Sequence, residues 1–242
     1  MKEKTREKVK QLLISFAEGV LSTPRVSVDI LKRAYPFHAL FLPDGALEMF
    51  KIERKIVTKM GQKLIPKLAK TIAGDRYTSV YLDHRIHRHV EGNKRNVIEK
   101  IINELRYGKR KPDLQKEIEE ISKASGGEIQ YVELVADLYI DDIPLFLEIK
   151  TPLPNLDIYV ETKRKLLFRI ISDRNPEAYL GLYYNPYFPK EYSHSITMRV
   201  MDIKREVLIG EEMWDRLGGE GTFDELLEIM EEVRKELRIS TS

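Results

Sequence analysis

Ala136-Asp137-Leu138-Tyr139-Ile140-Asp141-Asp142-Ile143-Pro144-Leu145-Phe146-Leu147-Glu148-Ile149-Lys150 contains two apolar extended runs joined by Asp-Asp-Ile-Pro, a segment rich in turn formers. It reads as a β-hairpin. With residues 141–144 as the loop, Ile140 pairs with Leu145, and counting back three places sets Asp137 across from Glu148, with Cβ atoms ~5 Å apart. Side chains alternate along a strand, so Lys150 shares the face of Glu148 and Asp137, and Phe146 lies lower on it. Leu147 and Ile149 point to the opposite, core-forming face. A loop one residue longer or shorter would separate the two carboxylates, so the register decides whether the three groups meet.

Two carboxylates this close repel each other unless a cation lies between them. Mg²⁺ suits the need: it takes one or two carboxylates, here Asp137 and Glu148 with the Ile149 carbonyl as an extra ligand, and keeps positions for water and a phosphate oxygen. Lys150 is then placed to orient water and to offset transition-state charge. The alternative from spacing alone is a surface charge ladder on a half-exposed hairpin.

Outward from the hairpin, residues 129–140 and 145–149 are the strands, preceded by helical patterns and followed by a Pro-rich loop at 151–154. Tyr159–Ile171 reads as a helix, and Ala178–Asn185 and Ser195–Val200 as further strands. Upstream, Val9, Leu12, Leu13, Phe16 and Val20 mark a first helix ending near Ser22-Thr23-Pro24. A second covers Val28–Ala34, residues 35–45 form a loop, and residues 46–73 are helical with an interruption around Gly61 to Pro66. Residues 94–106 form an amphipathic helix. Pro112 opens another through Ile121, closed by Ser125-Gly126-Gly127. Thr222 and Glu225 make a capping box for a last helix over 222–238, bearing Met230 and Leu237. The expected architecture is α/β, one domain over 1–242, with a mixed central sheet in 128–200 flanked by helices, a mainly helical part over 1–75 and the C-terminal helix.

The chain has 242 residues, 42% hydrophobic and 33% charged, which is ordinary globular composition. It has no cysteine, which excludes disulfides, thiolate metal sites and a Cys nucleophile. Abundant Lys, Arg and Glu with only Gln11, Gln62, Gln115 and Gln130 hint at a thermophilic source. The net charge of +2 does not by itself argue for nucleic acid. A charged start with no secretory apolar region, and no membrane-length apolar run, leads to a cytoplasmic expectation.

Asp137 with Glu148-Ile149-Lys150 resembles the PD-(D/E)xK nuclease motif, with Ala136 in place of the motif's proline. The longer stretch Glu148-Ile149-Lys150-Thr151-Pro152-Leu153-Pro154-Asn155 resembles the TdeIII-like type II restriction endonucleases. Pro36-Phe37-His38, Phe50-Lys51-Ile52-Glu53-Arg54 and Thr58-Lys59-Met60-Gly61-Gln62 resemble the helical segment preceding the motif in that family, so the resemblance spans residues 36–155. It implies a restriction-endonuclease-like fold, Mg²⁺-dependent double-strand cleavage by a homodimer, a GC-rich palindrome of GGNCC type and a cognate DNA methyltransferase encoded elsewhere. It also implies Glu53 as an extra acidic member of the catalytic set Asp137, Glu148 and Lys150; a solvated ion pair on the helix is the alternative.

Asp83-His84-Arg85-Ile86-His87-Arg88-His89 invites a zinc site on His84, His87 and His89, but the interleaved arginines favour an exposed basic loop. Arg85, His87 and Arg88, with Lys94, Arg95 and Lys109 to Lys111 nearby, are phosphate-contact candidates. Thr151 and Asn155 are candidates for DNA contact from the loop after Lys150. In the helix beyond, Lys163 and Arg164 are further candidates on a basic side that includes Lys165 and Arg169. The competing functions are a non-catalytic DNA-binding or regulatory protein on the same fold and a structure-selective nuclease of junction-resolvase type. The final helix is one guess for the contact between subunits.

Overall fold

The computed structural model describes residues 1–22, 24, 26–172 and 177–237. Thr23 and residue 238, expected at helix ends, lie outside them. Helix α1 (Glu3–Leu21) buries Val9 and Leu13, one turn apart on a single face. It is followed by α2 (Val28–Ala34) and α3 (Pro36–Phe41). Residues 35–45 are thus not all loop. Pro36 sits at the first helical position, where its fixed φ is favourable, and Pro43 ends the turn by restricting Leu42.

Helix α4 (Asp44–Lys59) runs through a π-helical turn, Met60–Leu64, into α5 (Ile65–Ala73). The interruption expected around Gly61 to Pro66 takes this form because Pro66 lacks an N–H and its ring crowds the carbonyl four residues back.

Strand β1 (Val80–Glu91) is followed by α6 (Gly92–Arg106) and α7 (Leu114–Lys123), the latter capped by Asp113, which accepts from Lys116 N at 3.2 Å. Next come β2 (Ile129–Ile140), β3 (Leu145–Lys150), α8 (Leu156–Ser172) and β4 (Glu177–Leu182). The chain continues through α9 (Ser195–Val200), α10 (Ile203–Glu206), β5 (Val207–Ile209), α11 (Glu211–Gly218) and α12 (Thr222–Glu236). Among the described residues the strands form a mixed sheet in the order β1-β2-β3-β4-β5, antiparallel from β1 to β3 and parallel from β3 to β5.

The sheet is wider than residues 128–200. The basic run at 83–89 is a paired edge strand rather than a loop, with Val80, Ile86 and Val90 inward and mostly polar residues outward. Ser195–Val200 is a helix rather than a strand: its β-prone Ile, Thr and Val are overridden by packing that buries Thr197 and Val200. At α12 the capping box is not formed. Gly221 is the N-cap, Thr222 is buried in the first turn, and Asp215 accepts from Gly221 N and Phe223 N, both at 2.9 Å.

The sheet has a core on each side. Ile98, Ile101 and Ile102 of α6 and Leu166 and Leu167 of α8 pack with Phe146 and Leu180. Leu68 and Ile72 of α5, Met213 of α11 and Leu226 of α12 pack with Leu138, Leu145, Leu147 and Ile149. The β1–β2 ribbon changes sides partway along. Val80, Leu82, Leu138 and Ile140 belong to the second core, whereas Ile86, Val90, Leu134 and Ala136 belong to the first, although all eight are even-numbered. Strict alternation would keep them together. The exchange centres on Asp83, whose φ is +50°, between the pairs Leu82↔Leu138 and His84↔Ala136. Asp137 therefore lies where the ribbon leaves the central sheet, opposite the end of β3.

Candidate active site

The hairpin has the register Ile140↔Leu145, Tyr139↔Phe146 and Leu138↔Leu147, which continues to Asp137 beside Glu148. Its turn is tied down by Asp142, which accepts from Thr78 Oγ1 and Ser79 N, each at 2.8 Å. At the open end, Asp137 Oδ2 accepts from Lys150 Nζ at 2.6 Å and from Ile149 N at 2.7 Å. Lys150 Nζ also lies 3.0 Å from Glu148 Oε2. The structure thus brings Asp137, Glu148 and Lys150 together.

Glu148 is only 1% exposed, while the Asp137 and Lys150 side chains are about a quarter exposed, at 28% and 25%. Burial raises the Glu148 carboxyl above the ordinary glutamate range; Lys150 opposes the rise, Asp137 adds to it, and Lys165 opposes it. Burial disfavours the Lys150 ammonium, but the Glu148 and Asp137 carboxylates outweigh it and hold this lysine above its ordinary value. Lys150 is therefore a cation here, not a neutral base.

Lys165 on α8 adds a contact that the reading of individual residues missed. Its Nζ lies 3.0 Å from Glu148 Oε1 and 3.3 Å from the Val135 carbonyl. One signal could have found it. Residues 163 and 165 are ~200° apart around a helix, so a helix packed on the Phe146 face cannot turn both lysines to solvent. The first of them is the more buried. Lys163 has no exposed side chain and pairs with Glu117 at 2.5 Å and with both Glu206 oxygens at 2.5 and 2.6 Å, which removes it from any DNA-facing surface. Arg164 is held by Glu99 at 2.9 Å and by Glu161.

The donor set fits a hard cation. Glu148 Oε2 is a buried oxygen with no well-aligned hydrogen-bond donor, and it faces Asp137 across the Lys150 ammonium. Two carboxylates and a main-chain carbonyl match Mg²⁺ better than metals needing several imidazole or thiolate ligands. Among the described residues no three or more His, Asp or Glu side chains gather as a metal cage. The three-histidine zinc arrangement does not form: His84 stacks on Tyr139 at 4.7 Å on one face of the ribbon, while His87 and His89 meet Tyr131 on the other.

Glu53 is exposed on α4 and has no hydrogen bond or ion pair with the trio. It shares a helix face with Gly61, about 12 Å further along the axis. A Cβ at Gly61 would lie 4.0 Å from Thr151 Cγ2, so that face leads to the loop after Lys150. Thr151 is half-buried, and Asn155 Oδ1 accepts from Ile158 N at 3.0 Å, starting α8. Beneath this loop the Pro152 carbonyl accepts from Tyr192 Oη at 2.5 Å, and Tyr192 and Tyr159 meet at 3.0 Å. On β1, Arg85 is exposed and pairs with Glu133 at 2.7 Å, His87 hydrogen-bonds Tyr131, and Arg88 Nη1 donates to the His87 carbonyl at 2.9 Å.

A family model described as type II restriction endonuclease, HinfI, matches residues 1–234. The chain is 30% identical over 259 residues to the type II restriction enzyme HgiEI of Herpetosiphon aurantiacus, covering 95% of this chain and 93% of that one. It is 30% identical over 210 residues to HgiCII of the same organism, covering 82% and 77%. To MjaII of Methanocaldococcus jannaschii it is 30% identical over 244 residues, covering 86% and 64%. No solved structure matches the chain. Among the described residues no helix is long and apolar enough to cross a membrane.

Proposed function

Because the chain belongs to the HinfI family of type II restriction endonucleases and is a site-specific deoxyribonuclease, we propose that it hydrolyses the DNA phosphodiester at Asp137, Glu148 and Lys150 with Mg²⁺. The TdeIII resemblance and the HinfI match agree on the class of enzyme. The observation that carries the proposal is the convergence of the two carboxylates on the Lys150 ammonium, at 2.6 and 3.0 Å, beside an oxygen of Glu148 that lacks a well-aligned donor.

In this reading Asp137, Glu148 and the Ile149 carbonyl hold the ion. When bound, Mg²⁺ supplies Lewis-acid stabilisation of charge on the phosphate and acidifies water. The protein's own groups do the rest. Lys150, kept protonated by its carboxylate neighbours, orients the attacking water and offsets negative charge as the P–O bond breaks. Lys165 holds Glu148 Oε1, which leaves Oε2 turned toward Asp137. Glu53 adds negative charge from the helix face that runs toward Thr151. The exposed Arg85 and His87, with the half-buried Arg88 on the other face, approach the DNA backbone from the ribbon, and Thr151 and Asn155 do so from the loop. Arg164 does so only at the expense of its Glu99 pair, and Lys163 is withdrawn. The substrate in this reading is a GC-rich GGNCC-type palindrome, cut by two chains related by a two-fold axis, with host DNA protected by a cognate methyltransferase.

Incubating the purified protein with a mixed-sequence plasmid, with Mg²⁺ and with chelator, tests the proposal. Discrete fragments that vanish with chelator and in Glu148→Ala, while DNA binding persists, are the expected result. Undiminished cutting by Glu148→Ala would overturn it.

A further inference from the structure

The loop after Lys150, Thr151-Pro152-Leu153-Pro154, carries two prolines, which have no N–H with which to tie it down. A carbonyl supplies a hold instead. The Pro152 carbonyl accepts from Tyr192 Oη at 2.5 Å, and Tyr159 Oη lies 3.5 Å from it. Tyr192 and Tyr159 meet at 3.0 Å, and Thr197 Oγ1 of α9 bridges them, 2.8 Å from Tyr192 Oη and donating to Tyr159 Oη. His194 Nδ1 joins the cluster at 3.0 Å from Thr197 Oγ1 and 3.4 Å from Tyr159 Oη. Tyr159 and Thr197 are fully buried, and Tyr192 is 9% exposed. Burial raises both phenols above the ordinary tyrosine value, so each keeps its proton. Phenylalanine at 159 or 192 would fill the same space with no hydroxyl to desolvate; what the hydroxyls add is a fixed position for the carbonyl.

We propose that Tyr192 is a positioning residue for DNA cleavage: by fixing the Pro152 carbonyl, its hydroxyl sets the main chain at Lys150 and Thr151 against the scissile phosphate. The inference rests on the proposed hydrolysis at Asp137, Glu148 and Lys150. The ladder of β3 ends at Lys150, paired with Leu182, and the Tyr192 contact takes hold two residues later. The same cluster ties the loop to α8 through Tyr159 in that helix's first turn, and α8 carries Lys165, 3.0 Å from Glu148 Oε1. Loop and helix, which meet the site from different directions, are thus joined at one buried point. The hydroxyls are sealed from solvent, so they act on the reaction through the loop and not by touching DNA. The metal-holding carboxylates are fixed separately. Asp137 is held by Lys150 Nζ and Ile149 N, and Glu148 by Lys150 and Lys165, and none of these groups touches the cluster. A loop displaced by about 1 Å leaves the cation in place but spoils the approach of the phosphate, a fault that costs up to ~10²-fold in rate.

Single-turnover cleavage of a plasmid by Tyr192→Phe tests the proposal, with Tyr187→Phe as control. Tyr187 packs edge-on against Tyr192 at 5.6 Å, but its hydroxyl takes no part in the cluster. The rate per folded molecule is expected to fall about 10- to 100-fold in Tyr192→Phe and to stay at the wild-type value in the control. Mn²⁺ affinity without DNA, read by electron paramagnetic resonance, is expected to be unchanged in both. Thr197→Val should lower the rate in the same direction, and Thr197→Ser should recover part of it. A Tyr192→Phe protein that melts lower yet cuts at the wild-type rate per folded molecule has lost only a structural bond, which overturns the proposal. Mn²⁺ affinity falling in step with the rate places the defect in the metal ligands and also overturns it. If Tyr192→Phe cuts normally while Glu148→Ala is inactive, the proposal alone fails; if Glu148→Ala cuts undiminished, the proposed hydrolysis fails and the proposal with it. Should Tyr192→Phe not fold, Thr197→Val replaces it, and a folded Thr197→Val with the wild-type rate overturns the proposal.

Discussion

Helix α8 sends one lysine into each of two carboxylate clusters, and the two clusters behave differently. Lys163 joins Glu117 and Glu206 with no part of any of the three side chains exposed. Main-chain groups close the remaining space: Asp113 N donates to Glu117 at 3.2 Å and Asp202 N to Glu206 at 2.7 Å. Lys165, two residues on, joins Glu148 in a cluster with Lys150 and Asp137, where Lys150 and Asp137 reach solvent. Glu117 Oε2 and Glu148 Oε2 alike lack a well-aligned donor, so an unsatisfied oxygen alone does not mark a site. Access does. A sealed cluster can only clamp α7, α8 and α10 together, whereas an open one can admit a cation and a phosphate.

The sharpest way to break this comparison is to disable each cluster in turn. Glu148→Ala and Lys150→Ala should each lose cleavage by about 10³-fold or more, measured on a plasmid under single-turnover conditions, with melting temperature little changed. Lys163→Met should do the reverse. It strands two buried carboxylates and costs roughly 3–5 kcal/mol in denaturant unfolding, while the cleavage rate per folded molecule stays near wild type. Equal loss of activity in both sets of variants would erase the distinction.

Lys165→Met tests whether α8 serves the open cluster. Losing the contact to Glu148 Oε1 should weaken Mn²⁺ binding, read by electron paramagnetic resonance without DNA, by about 10–100-fold, and Lys165→Arg should recover part of it. The smallest expected effect is in pH dependence. Burial raises the Glu148 carboxyl, so its ionised form is depleted at higher pH than for an ordinary glutamate. The acid limb of cleavage at limiting Mg²⁺ should therefore lie above the usual value of 4.5 and move to lower pH as Mg²⁺ is raised, because cation and proton compete. A limb insensitive to Mg²⁺ would count against Glu148 as a ligand.

Much of the fold was legible where one local signal dominated. The Asp-Asp-Ile-Pro turn between apolar runs specified the hairpin register, and Ile98, Ile101, Ile102 and Leu105 specified α6 through their spacing. Strand β1 was not legible because His and Arg occupy its solvent side and leave few apolar positions, and β5, at three residues, is too short to show a period. Helix α9 carried a strand-like composition that packing overruled. Within the site, the trio followed from alternation along the strands. The split between Lys163 and Lys165 did not, since it depends on Glu117, Glu206 and Glu148, which lie between 17 and 46 residues away in the chain.

By itself, then, the sequence determined a hairpin with Asp137, Glu148 and Lys150 on one side, because strand period and turn chemistry are local. Only the tertiary structure decided which basic side chains are sealed and which are open. Burial is a property of what packs from elsewhere in the chain, and no window of neighbouring residues contains it.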